Sequence, residues 1–313
     1  MKIIGLLSIP KGLLCKKDVL GKTFYGSVSN IDIAIMFPKL ANKTVEDTMN
    51  YVGLKNQLIA PEIGRNLKRG EDNIFWGYPM SYPDMNSFIE NVMIEFECTE
   101  ENYFDNSQAI YEKIYDWIYS FKKYIQLVTK QQLSRKTTHP NNNHCVELLF
   151  EGEYIQDQRP QMLQGTIYSN NVFASQDQIK QALAFASSEK ELLLEYQMLL
   201  SAYTARKNNK NRQSVIDACS AIEICLINWI ENYCKNKEIT PTVLTEKYRS
   251  LGDRFKLVKK LDEDFPDFDF NNKIVAVRNN VAHNRDIYPS NEITDQLIEL
   301  IENYLSHYHT KYY

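Results

Sequence analysis

Arg278, Asn279 and His283 fall within six positions of one another, in the run Arg278-Asn279-Asn280-Val281-Ala282-His283. These residue types suit work on a phosphodiester. Arginine is a permanent cation whose planar fork matches phosphate oxygens. Histidine gives and takes protons near neutral pH. On an ideal helix Asn279 and His283 are four apart, about 40° around the axis, and share a face. Arg278 lies about 140° around from His283 and flanks that face. Ile274, Val277 and Val281 recur at three and four and make the side to be buried. A plainer arrangement uses the same residues: a helix-terminal His beside an Asn acts as a cap, and Arg278 pairs with a surface carboxylate.

The elements that must position this group are helical. Residues 189–207 and 211–233 read as two helices joined by the polar turn Asn208-Asn209-Lys210. In the second, Val215, Cys219, Ile222, Leu226, Trp229 and Tyr233 keep helical spacing. A segment from Thr245 to Gly252 follows, then Phe255, Val258 and Leu261. The acidic run Asp262 to Asp269, with Phe265, Phe268 and Phe270 in or beside it, reads as a linking loop. The motif helix comes next, and a last helix carries Ile293, Leu297, Leu300, Ile301 and Tyr304.

This order of helices, with an Arg, a polar residue, three variable residues and a His at the end of one of them, resembles the HEPN superfamily (higher eukaryotes and prokaryotes nucleotide-binding). Ala221 and Glu223 fall where that family has a small-aliphatic-Glu pattern. The chain looks most like the Apea-like bacterial branch that includes antiphage effectors. The resemblance covers roughly residues 188–313. It implies a helical bundle and a metal-independent endoribonuclease without cofactor, in which the ribose 2′-hydroxyl attacks its own phosphate. Arg278, Asn279 and His283 would be catalytic. It also implies a homodimer through the helical domain, with two motifs forming one composite site, and an antiviral, abortive-infection or toxin role. The alternative within the family is a non-catalytic module that binds nucleotides or proteins.

Composition limits how RNA would be held. The net charge of the chain is -4, and residues 188–313 carry 17 Lys and Arg against 19 Asp and Glu. Bulk electrostatics therefore give RNA no purchase, and contacts must be local. Two clusters offer them: Arg206, Lys207, Lys210 and Arg212, and a second from Lys247 to Lys260. Lys210, Arg212, Arg254 and Lys256 are the expected RNA contacts, although solvated helix faces account for the same charges.

The six cysteines, Cys15, Cys98, Cys145, Cys219, Cys225 and Cys234, show no metal-ligand spacing. His139, His144 and Cys145 flank the loop signal Pro140-Asn141-Asn142-Asn143 without a second ligand pair, and no metal is expected. His307 and His309 read as part of a frayed polar tail, Ser306 to Tyr313. The opening residues read as a strand rather than a signal peptide, and no apolar run suggests a membrane span. The expectation is a cytoplasmic protein with reduced thiols and no membrane contact.

The length suits two domains, so the fold class expected is α+β: a strand-rich mixed domain over 1–187 and an all-helical domain over 188–313. In the first, strands are expected at Ile3–Ile9, 23–37, 75–78, 92–96 and 146–150, and a helix over 108–128. The boundary falls where Ser187 or Ser188 is placed to cap the next helix. Trp76, Tyr78 and Tyr82 form an aromatic loop region suited to recognition or to core packing. No catalytic set appears in this half. Its expected role is sensory or regulatory, with a phage-derived trigger or regulatory partner.

Overall fold

The structure is a computed structural model. It describes residues 2–40, 58–59, 61, 76–79, 86–97, 100–133, 146–149, 172–266, 268–284, 288–309 and 312. His139, His144, Cys145 and Tyr82 lie outside the described residues. The chain divides into two compact units, Met1–Lys190 and Glu191–Tyr313.

The first unit carries, in order, β1 (Lys2–Cys15), β2 (Thr23–Val28), β3 (Ile31–Met36), β4 (Lys39–Leu40), β5 (Leu58–Ile59), β6 (Gly77–Pro79), β7 (Ser87–Glu97), α1 (Glu100–Thr129), β8 (Val146–Leu149) and α2 (Gln176–Ser187). The main sheet is antiparallel, in the order β2-β3-β7-β1-β8, with β6 also paired to β7. β2 and β3 form a tight hairpin. Ser29 and Asn30 take positive φ of 46° and 67°, the left-handed pair that a two-residue turn needs to match strand twist. β1 changes register between Ser8 and Leu13, and Gly12 sits in that irregularity at φ 68°. A Cβ there would stand 2.1 Å from the Phe88 ring, so only glycine fits.

Helices α1 and α2 pack beside β2. Ser187 Oγ accepts from Ser27 N at 2.9 Å and from Trp117 Nε1 at 3.2 Å. Buried Gln131 clamps the end of β1: its Oε1 accepts from Leu14 N at 2.7 Å, and its Nε2 donates to Leu14 O and Val172 O. Of the aromatic region suited to recognition or to core packing, the two described residues pack inward. Trp76 is buried, and Tyr78 stacks on Phe88 with centroids 5.1 Å apart.

The second unit is helical: α3 (Leu194–Lys207), α4 (Asn211–Asn236), α5 (Pro241–Lys247), α6 (Leu251–Leu261), a single π-helical turn at Asn271–Val275 running into α7 (Ala276–His283), and α8 (Asn291–Tyr308). The molecule is thus α+β, strands first and a helical bundle after. α4 is the central helix and packs against α3, α6, α7 and α8. Its inner stripe includes Val215, Ala218, Ile222, Leu226 and Ile230, all fully enclosed or nearly so. Contrary to the reading of the chain as lacking any such run, α4 is long and apolar enough to cross a bilayer by length and composition. Half of that stretch is buried within the protein, and it forms the middle of the bundle core.

Two expectations are corrected. Ser187 and Ser188 do not start the next helix. Ser188 is the C-cap of α2, its N–H and Oγ both donating to Phe185 O. Glu189 at φ 54° then turns the chain out of the helix, and α3 begins only at Leu194. The tail is not frayed either. Leu193 N donates to Tyr312 O at 3.0 Å, and Tyr312 packs edge-on against Tyr196. Backbone pairing and apolar contact hold a segment whose composition is polar.

Candidate functional site: the end of the motif helix

The motif helix is anchored at its start and open at its end. Phe270 stacks on Phe255 of α6, and Ile274 and Val281 are completely or almost completely buried. Each such side chain contributes about 1.5–3 kcal/mol relative to exposure. Asp269 accepts from both Asn272 N at 3.2 Å and Asn272 Nδ2 at 2.6 Å, and these bonds hold its carboxyl below the ordinary value. The π turn that follows is a form often found beside functional residues, and periodicity did not signal it.

At the other end, Asn284 N donates to Asn280 O at 3.0 Å and its extended backbone stops the helix, leaving His283 as the last helical residue. Asn279 and His283 are both exposed, whereas Arg278 is half-buried. That is the disposition the spacing implies, with Arg278 flanking the open face. Arg278 Nη1 lies 3.4 Å from Asn279 Oδ1, a long contact that leaves the fork largely uncommitted. On the neighbouring α4, Cys219 is within electrostatic reach of the motif. Burial pushes its thiol up to about 12, the Arg278 cation pulls it down, and Glu223 pushes it up. A thiol so placed is not a nucleophile at neutral pH.

The four expected RNA contacts separate. Arg254 is engaged within the bundle: its guanidinium is ion-paired with Glu223 of α4, the two side chains only 14% and 30% exposed. Charge pairing between α6 and α4 has taken it up. Lys256, two positions on, is exposed and roughly opposite on the helix, so the pair does not make one surface. Lys210 is exposed at the start of α4. Arg212 reaches the motif: its Nη1 donates to Asn284 O at 3.3 Å, one residue past His283. Asn211 fastens the same loop, donating to Pro289 O at 3.0 Å and Asn291 Oδ1 at 2.8 Å. Arg206 belongs to a different structure, a two-pronged pair with Asp295 that ties α3 to α8.

Among the described residues no group of three or more His, Cys, Asp and Glu side chains is placed to hold a metal ion. Sequence reasoning missed a second titratable cluster. Glu195, 1% exposed, has its Oε1 2.8 Å from His309 Nε2, and Cys225 Sγ lies 3.7 Å from the same nitrogen. The two atoms are at ion-pair distance, with the His309 approach off the line of a good hydrogen bond. Burial pushes the Glu195 carboxyl up; contact with His309, a backbone hydrogen bond, the His309 charge and Asn228 together bring it below the ordinary value. Nothing local in the sequence marks a pair 114 positions apart.

Compared with known families, curated proteins and solved structures, the chain matches none.

Proposed function

We propose that the helical unit is a metal-independent endoribonuclease of HEPN type. The observation that carries this reading is the exposed end of α7, where Asn279 and His283 stand open beside Arg278 on a helix fixed by Phe270, Ile274 and Val281. The ribose 2′-oxygen attacks the adjacent phosphorus as its proton passes to a general base, for which His283 is the group at hand. The bond from phosphorus to the 5′-oxygen breaks and that oxygen takes a proton. The products are a 2′,3′-cyclic phosphate and a 5′-hydroxyl. Arg278 holds the phosphate and meets the charge that grows on its non-bridging oxygens. Asn279 orients the imidazole or bonds one of those oxygens.

One His supplies a base or an acid, so a twofold dimer that brings two motifs together completes the set. A ribonuclease loose in a cell harms it. The sheet unit, in whose sequence no catalytic set is recognised, is accordingly assigned a sensing or restraining role, in antiphage defence by growth arrest.

The test is purified full-length protein with RNA in excess chelator. Cleavage persists, products carry cyclic or 3′-phosphates, and DNA is untouched. Products with 3′-hydroxyl ends, or activity restored only by a divalent ion, rule the mechanism out. The binding-module alternative draws on the acidic balance and on the withdrawal of Arg254 by Glu223; it requires nucleotide binding that depends on Arg278, with no cleavage.

A further inference from the structure

α6 stops short of the open end of the motif helix. Phe255 of α6 stacks on Phe270, and a Cβ on Gly252 would stand 3.6 Å from Val275 Cγ1. The two segments therefore run in opposite directions, and Val275 faces α6. Asn279 and His283 follow Val275 at steps of four, about 40° and 80° around the axis, so they continue the side of α7 that α6 covers. They are exposed because α6 begins only at Leu251.

Arg249 stands where the next turn of α6 would be. Three residues back from Gly252 on α6 corresponds to three residues on from Val275 on α7, which is Arg278. A second route gives the same level. Arg254, between the Gly252 and Phe255 contacts, meets Glu223 of α4. Arg278, further along α7, acts on Cys219, one turn earlier in α4. α4 thus runs parallel to α6, and one turn back from Arg254 is Ser250, the N-cap of α6. Both routes bring Arg249 to the level of Arg278, at the mouth of the face that carries Asn279 and His283.

Arg249 is exposed. Its Nε donates to Glu246 O at 3.0 Å, and its guanidinium has no other bond or ion pair among the described residues. The two outer nitrogens of the fork stay open to an anion. Asp253, the carboxylate at the start of α6, is engaged with the cap, accepting from Ser250 Oγ at 2.6 Å. The bond to Glu246 O draws the Arg249 side chain back toward the last turn of α5, away from Arg278.

We infer that Arg249 holds the phosphate next to the one that Arg278 grips, so that the RNA strand enters over the start of α6. This rests on the ribonuclease reading and adds to it a second phosphate contact, one that acts in binding and not in the chemical step.

The test is cleavage of a single-stranded RNA oligonucleotide by the full-length protein over a range of salt. Arg249→Ala and Arg249→Gln raise KM about tenfold at low salt, the worth of one charge-assisted contact, and leave kcat within about twofold. The slope of log kcat/KM against log salt becomes shallower by about 0.7, the counterion release of one phosphate contact on a single strand. A merely structural role would not move that slope. Circular dichroism confirms that each variant folds, and Arg249→Lys keeps the slope of the unaltered protein. Lys260→Ala, the same loss of charge at the far end of α6, leaves KM and slope unchanged. Unchanged KM and slope in folded Arg249→Ala and Arg249→Gln overturn the inference while leaving the ribonuclease reading intact. So does a fall in kcat at constant KM, or an equal change in Lys260→Ala, which would make the effect one of net charge alone. Failure of the unaltered protein to cut any RNA overturns the ribonuclease reading and this inference with it.

Discussion

His283 and His309 each stand at the C-terminal end of a helix, one closing α7 and the other capping α8, and their surroundings are opposite. His283 is exposed on an open face with Arg278 and Asn279. His309 lies over a buried carboxylate, its ring edge-on to Tyr196 at 5.8 Å and 3.7 Å from the Cys225 thiol. Residue type is the same and helix position differs by one, His283 being the last helical residue and His309 a cap. What differs is whether neighbouring elements have consumed the nitrogen. An imidazole committed to a buried charge stabilises the fold, whereas one left open can exchange protons with a substrate.

The sharpest break of this comparison is one substitution made twice. His283→Ala is expected to lower RNA cleavage by about 10²–10⁴-fold, the usual worth of a positioned proton-transfer group. Its melting temperature should barely move, since an exposed side chain without core contacts is worth within about 0.5 kcal/mol. A variant that melts several degrees lower and still cuts RNA at full rate would make His283 structural.

His309→Ala should do the reverse. Removing His309 leaves the buried Glu195 carboxyl with only its backbone and Asn228 contacts and should cost up to about 3 kcal/mol, visible in urea or thermal unfolding. Cleavage by the protein that remains folded should change little. Unchanged unfolding would mean that the tail contributes nothing to the bundle.

Acid supplies a smaller effect on the same pair. The folded-state carboxyl of Glu195 lies below its ordinary value of about 4.5. Its contribution is therefore fully present above that value and is lost as pH falls through the lower, folded one. Stability measured from pH 6 downward should decline below about pH 4.5, and the decline should be shallower in His309→Ala, where the group holding the carboxyl down is gone. Identical profiles for the two proteins would remove His309 from the account.

The smallest expected effect lies at Arg254. Its pair with Glu223 is partly solvated, so Arg254→Ala should cost about 1 kcal/mol or less and leave RNA affinity near that of the unaltered protein. A large loss of affinity would make Arg254 an RNA contact in spite of its pair with Glu223.

Much of the architecture was legible because it depends on short-range pattern. The helical stripes of α4 and α8, the alternation over 23–37 and the turn at Asn208–Lys210 all follow from neighbours a few positions apart, although 23–37 folds as the β2–β3 hairpin and not as one strand. So did the grouping of Arg278, Asn279 and His283 at one helix end. The start of α3 was not legible, because Ser187 and Ser188 satisfy a capping pattern in either direction and the positive φ of Glu189 decides which helix they serve. The π turn was equally hidden, since its residues keep a helical apolar pattern.

The sequence by itself determined which side chains carry chemistry and which face of each helix is apolar, because both depend on residue type and on a period of 3.6. The tertiary structure alone decided which charged groups remain available. Arg254 meets Glu223 from 31 positions away, His309 meets Glu195 from 114, and Arg212 reaches Asn284 from 72. Those meetings are fixed by how the helices of the bundle pack, α3 with α8 and α4 with its neighbours, and a charge is used up or left open according to what that packing brings within about 4 Å of it.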